Sequence, residues 1–161
     1  MNRPPILSRG ELGGTGLAVT PICFGTSPLA SMAQLYGYAV EEERAVATVL
    51  AALDSPINFL DTSNGYGEDG AAERRIGEAI RQAGGLPSHV VLATKVDPDP
   101  HTGDFSGERV RASLEESMER LGVDKIAKWA TALGYGQLSR IDLDGEKAGI
   151  VPSTEWAATK Q

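Results

Sequence analysis

Two kinds of apolar pattern alternate along this chain. Short, nearly continuous apolar runs signal strands, and longer segments with apolar positions every three or four residues signal amphipathic helices. Residues 19–25 read as a first strand, punctuated by Pro21 and ended by Gly25-Thr26-Ser27-Pro28. Over residues 41–53, Val46, Val49, Leu50 and Leu53 join Val40 near one helical face. Glu41, Glu42 and Glu43 suit the positive end of that helix, and Pro56 stops it. Residues 57–61 form the second strand. Residues 71–82 form the second helix, with Ala72, Ile76, Ala79 and Ile80 on one side. Gly84-Gly85 and Pro87 end it. Residues 90–95 are the third strand. Pro98, Pro100 and Gly103 mark a loop, after which Ser106 caps a third helix reaching Leu121. Val110, Leu114, Met118 and Leu121 make its stripe, and Gly122 suits its end.

Strand and helix thus alternate, which implies parallel strands joined by right-handed crossovers. Ahead of them, residues 8–20 are rich in glycine and polar groups and read as a hairpin or loop capping the domain. They hold no G-x-x-x-x-G-K-[ST] and no strand-to-helix context for a phosphate loop. A phosphate-binding flavodoxin-like order is disfavoured because no suitable nest follows the first strand. Residues 29–39 read as loop. After Ile126 the alternation stops, because Ala127-Lys128-Trp129-Ala130-Thr131-Ala132-Leu133 reads as helix where a fourth strand is due. The expected organisation is therefore residues 1–126, then a divergent tail over 127–161, as from a frameshift or a shortened gene.

Composition narrows the function classes. The 161 residues suit one domain, and 41% apolar content is enough for a core. A net charge of -7 argues against nucleic acid and anionic membrane as partners. No apolar run is long enough to span a bilayer, and Met1-Asn2-Arg3-Pro4-Pro5 lacks a signal core. With Cys23 as the lone cysteine no internal disulfide forms, which fits a reducing, cytoplasmic setting. Cys23 sits in an apolar run and is expected to be buried and inert. His89 and His101 are the only histidines, so a histidine-based metal site is not expected.

The candidate chemistry gathers around Asn58-Phe59-Leu60-Asp61-Thr62-Ser63-Asn64-Gly65-Tyr66-Gly67. Asp61 closes the second strand and Lys95 the third. Parallel strands bring such ends to one edge, where α/β proteins place ligands. Tyr66 lies in the loop just beyond. A free phenol, with a pKa near ~10, is a weak acid at neutral pH. A neighbouring ammonium favours the phenolate, and a carboxylate holds that ammonium charged and oriented. Such a tyrosine can pass a proton to or from an oxygen while hydride moves at carbon. The residues alone equally allow a structural Asp61–Lys95 ion pair with Tyr66 packed in a loop, or an Asx turn at Asp61-Thr62.

At these residues the sequence resembles the aldo-keto reductase family. The resemblance rests on Leu12-Gly13-Gly14-Thr15-Gly16-Leu17, Phe24-Gly25-Thr26, Phe59-Leu60-Asp61-Thr62-Ser63 with Tyr66-Gly67, Glu73 with Ile76-Gly77, Ala93-Thr94-Lys95, and Arg111-Ala112-Ser113-Leu114-Glu115-Glu116-Ser117-Met118-Glu119-Arg120-Leu121. It covers about residues 10–126 and is similar to the branch of aldose or fucose 1-dehydrogenases and pyridoxal dehydrogenases. It implies an α/β fold, here a partial (β/α)8 TIM barrel of about three N-terminal units. It implies NADP or NAD as cofactor and a small-molecule carbonyl or sugar as substrate. Tyr66 would be the proton donor or acceptor, Lys95 would ease release of its proton, and Asp61 would support Lys95. Gly25 and Thr26, with Asp61, would lie near the nicotinamide. The family's active-site histidine, at the end of a fourth strand, has no counterpart after His101. A full barrel takes ~250 residues, and its phosphate-binding loops come late. The expectations are therefore an NAD(P)-dependent oxidoreductase or, alternatively, a non-catalytic interaction module that retains the motifs. Exposed sheet edges would favour self-association.

Overall fold

A computed structural model describes residues 7–122. Its centre is a three-stranded parallel sheet of β3 (Phe24–Gly25), β4 (Phe59–Asp61) and β5 (Val91–Ala93) in that order. Ahead of it β1 (Gly10–Glu11) and β2 (Ala18–Val19) form an antiparallel hairpin. Four α-helices, α1 (Ala33–Tyr36), α2 (Glu42–Leu53), α3 (Ala71–Gln82) and α4 (Gly107–Leu121), and two short 3-10 turns, Ser27–Ala30 and Glu68–Gly70, complete the described residues. The arrangement is that of an unclosed (β/α) barrel fragment.

The strands are short, but their register is clear. Gly25 stands opposite Asp61, and Asp61 opposite Ala93. Pairing continues beyond the strand ends, where Thr62 N–H donates to the Ala93 carbonyl at 2.9 Å and Asn64 N–H to that of Lys95 at 3.2 Å. Leu60, fully buried in the middle strand, lies in the core with Val49, Ile76 and Met118 from the three long helices. α3 packs between α2 and α4. Its crossing with α4 runs through Gly77, where a Cβ would collide with the Arg120 carbonyl oxygen.

Several expectations change in detail. The expected strand over 19–25 is two strands, since Val19 pairs back into the hairpin and only Phe24–Gly25 joins the parallel sheet. Pro21, which has no N–H for a ladder, lies between them. The expected loop over 29–39 contains α1 and the end of a 3-10 turn at Ser27–Ala30. Cys23 is exposed and not buried. On α4 the buried positions are Ser113, Ser117, Met118 and Leu121, while Val110 and Leu114 are only half-buried. The helix is turned toward its serines because these meet polar groups of the neighbouring loops: Ser113 Oγ accepts the Asp97 N–H at 3.0 Å, and Ser117 Oγ lies 3.4 Å from Asn64 Nδ2. The expected tail over 127–161, and the boundary at 126, lie outside the described residues.

Candidate active site

The C-terminal ends of β3, β4 and β5 deliver the residues of the site. Asp61 is the last residue of β4, and Lys95 lies two positions past β5. Tyr66 follows a tight turn in which its N–H donates to the Ser63 carbonyl at 3.2 Å. Gly67, next in the chain, has φ of +82° and packs so closely that a Cβ would stand 2.8 Å from Ala30. Only glycine suits both demands, so the chain can turn from Tyr66 into α3.

Lys95 Nζ is the hub. It donates to Asp61 Oδ1 at 2.8 Å, Asp61 Oδ2 at 2.7 Å, the Thr62 carbonyl at 2.8 Å and Tyr66 Oη at 3.3 Å. It also stands 4.9 Å from the centre of the Tyr66 ring. Partial burial works against the ammonium, but the hydrogen bonds with Asp61 and Tyr66 outweigh it and hold Lys95 above its ordinary value. The amine is therefore charged at neutral pH. The pair remains open to solvent, with the Lys95 side chain 47% and that of Asp61 33% exposed.

Gly25 lies beside Asp61 with open space on its side-chain side, since a Cβ there would meet no atom within 4 Å. Thr26 is fully buried, and both its N–H, at 3.0 Å, and its hydroxyl, at 2.9 Å, donate to the Asp61 carbonyl. Thr26 thus fixes the backbone of Asp61. Cys23, two positions before Gly25, is within electrostatic range of Asp61 and Lys95; partial burial and the Asp61 carboxylate push its thiol up, which disfavours the thiolate. His89 precedes β5 at the opposite sheet end, where its carbonyl accepts from Asn58 Nδ2 at 3.0 Å. His101 is exposed in the loop before α4. Neither stands with Lys95, and among the described residues no group of three or more histidines, cysteines and carboxylates is placed to hold a metal.

The support behind the site was not anticipated. Asn64, Asp97, Arg109 and Glu116 form a polar cluster behind the Tyr66 loop, and Arg109 holds Glu116 at 2.8 and 3.0 Å. Glu73 is fully buried in α3, accepting from Thr94 Oγ1 at 2.6 Å and from Arg120 at 3.3 Å. A hollow among the helices is lined by Arg74, Arg75, Arg81 and Arg120, but these guanidiniums already bond Asp69, Leu29, Glu78 and Glu73. It does not touch Asp61, Tyr66 or Lys95.

Comparison with known proteins agrees with the sequence resemblance. The model of the aldo/keto reductase family matches residues 21–132. An L-galactose dehydrogenase of Arabidopsis thaliana is 43% identical over 115 residues, covering 71% of this chain and 34% of the relative. A 6-dehydroglucose reductase of Novosphingobium aromaticivorans is 37% identical over 127 residues, covering 74% and 39%. The chain spans under two fifths of the length of these curated relatives. Among solved structures, the holo form of aldo-keto reductase AKR11C1 from Bacillus halodurans superposes with a TM-score of 0.58 at 24% identity, covering 73% of this chain and 37% of that one. That likeness speaks for the fold alone.

Proposed function

The chain belongs to the aldo/keto reductase family, and from that premise we propose that its strand-end site transfers a proton in the NAD(P)-dependent interconversion of a carbonyl with its alcohol, or of a sugar hemiacetal with its lactone. The observation that carries this reading is the single amine bridging Asp61 and the Tyr66 hydroxyl. A merely structural ion pair has no need to hold a half-exposed phenol against its cation.

Each residue has a role that follows from its chemistry. Tyr66 gives a proton to the carbonyl oxygen in reduction and takes it back in oxidation. Lys95 stabilises the phenolate left behind. Asp61 keeps Lys95 charged and aimed, with both carboxylate oxygens on Nζ. A bound NAD(P) would supply the hydride chemistry, since no side chain carries a hydride. Gly25, whose side-chain side is open, would border the cofactor beside Asp61, with Thr26 fixing the Asp61 backbone. The names of the relatives, which include a sugar dehydrogenase and a sugar reductase, support a sugar or other small carbonyl compound as substrate.

Titration of the purified chain with NADPH and with NADH, read by their fluorescence, tests the cofactor. Binding of either, followed by oxidation on adding an aldose or small aldehyde, is the expected result. Absence of both would leave an interaction module that keeps the family's motifs without its chemistry.

A further inference from the structure

The loop that carries Tyr66 is gripped on the three residues ahead of it. The Asp97 carboxylate, half-buried two positions past Lys95, accepts the Ser63 hydroxyl and, at 2.8 Å, the Gly65 N–H. The Asp97 backbone is itself fixed by α4, since its N–H donates to Ser113 Oγ at 3.0 Å and its carbonyl accepts from Arg109 Nε at 3.3 Å. Between the two gripped residues, Asn64 accepts from Arg109 at 3.3 Å and donates to the Ser113 carbonyl at 3.1 Å and to Glu116 at 3.0 Å. The fit at Gly65 is tight: a Cβ there would stand 3.0 Å from the Asp97 carboxylate carbon.

We propose that Asp97 is a positioning residue, whose carboxylate holds residues 63–65 and thereby sets the Tyr66 hydroxyl against Lys95. The proposal rests on the reading of Tyr66 as the proton-transfer group. The contact it protects is delicate, because 3.3 Å lies just past the usual limit for such a bond. The contacts between Lys95 and Asp61, at 2.7 and 2.8 Å, run between residues of two adjacent strand ends and do not pass through the loop. Loss of Asp97 should therefore release Tyr66 while the Lys95–Asp61 pair stays. General loosening of the fold would weaken both together.

The test uses the full chain as Asp97→Ala, Asp97→Asn and Ser63→Ala, with Tyr66→Phe to assign the Tyr66 ring signals. The first readout is the nuclear Overhauser contact between the Tyr66 ring and the Lys95 side-chain methylenes. Asp97→Ala should lose it while the core resonances of Leu60 and Ile76 keep their positions. Asp97→Asn should retain it, since the Ser63 hydroxyl and the Gly65 N–H both donate to one carboxylate oxygen, a place the amide oxygen can take. Ser63→Ala removes one of the two bonds and should weaken it. The second readout is turnover with NADPH and an aldose. Asp97→Ala should lower kcat by roughly 10²-fold, the order expected when a catalytic group is displaced by about 1 Å, with KM little changed. Asp97→Asn should recover most of that loss. If the parent shows no turnover, the catalytic reading fails and the Overhauser contact still decides the positioning role. A full Tyr66–Lys95 contact in Asp97→Ala overturns the proposal. If Asp97→Ala does not fold, an undiminished contact in Ser63→Ala overturns it.

Discussion

Asn58 and Asp61 stand three positions apart on one extended segment and meet opposite ends of the sheet. Asn58 is 1% exposed, and its side-chain partners are all main chain: it accepts the Thr20 N–H at 2.7 Å and donates to the Ala18 and His89 carbonyls at 2.9 and 3.0 Å. It stitches the hairpin and the approach to β5 onto the N-terminal end of β4. The Asp61 side chain is one-third exposed and bonds the Lys95 ammonium, which in turn meets the Tyr66 hydroxyl. Burial with main-chain partners makes a polar group a structural joint, because nothing in it can move without orphaning a buried donor or acceptor. Exposure with titratable partners leaves a group able to exchange a proton with a visitor. The same segment thus builds the fold at one end and carries the solvent-open Asp61–Lys95–Tyr66 contacts of the proposed site at the other.

The largest effect is expected at the Tyr66 end of the segment. Tyr66→Phe should lower turnover by about 10²- to 10⁴-fold, the usual contribution of a positioned acid or base. Its thermal stability should move by no more than about 0.5 kcal/mol, since the ring is half-exposed. Steady-state kinetics and a melt on the same sample check both halves. A Tyr66→Phe protein as active as the parent would remove the phenol from the chemistry.

Between α3 and α4, Glu73 and Arg120 form a further ion pair, and here burial is complete on one side, with Glu73 fully buried and the Arg120 side chain 19% exposed. Arg120→Ala strips the cation from a buried carboxylate and should cost about 3 kcal/mol in chemical denaturation. The structural end comes next. Asn58→Ala should cost about 2 kcal/mol, because two carbonyls and one N–H lose their partner at once. Turnover of the folded fraction should be unchanged in Asn58→Ala, and a large fall in kcat would mean that the two ends are not independent.

Much of this was legible in the chain. The helix over 71–82 shows its face through Ala72, Ile76, Ala79 and Ile80, all of which are buried. That Asp61 and Lys95 could meet across 34 positions follows from parallel strands ending at one edge. The cluster behind the loop was hidden for a physical reason. Ser113 and Ser117 are small polar residues that pattern reading assigns to the wet side of a helix, yet they are buried because Asn64 and Asp97 supply their partners. The available signal was the four-residue spacing of two serines beside the apolar stripe, facing a loop rich in Asn and Asp. Cys23 misled in the opposite sense: an apolar run suggests burial, but its position before Gly25 puts it on the exposed side.

The smallest expected effect lies in the acid limb of stability. Arg109 hydrogen-bonds Glu116 and holds its carboxyl below the ordinary value of 4.5, against partial burial that pushes the other way, with Asn64 adding to the lowering. A carboxyl depressed on folding stabilises the protein above its unfolded value and loses that contribution as pH falls through its lower folded value. Glu116→Gln should therefore be less stable than the parent near neutrality, and the two should converge as pH drops below 4.5. The side chain is 37% exposed, so solvent screening keeps the difference to at most about 1 kcal/mol. Added salt should shrink it further. Thermal melts of both proteins from about pH 7 down to about pH 3 read the convergence directly. A gap that stays constant over that range would assign the contribution of Glu116 to shape and hydrogen bonding and not to its charge. The grip of α4 on the Tyr66 loop would then resemble the Asn58 joint more than the Asp61–Lys95 pair.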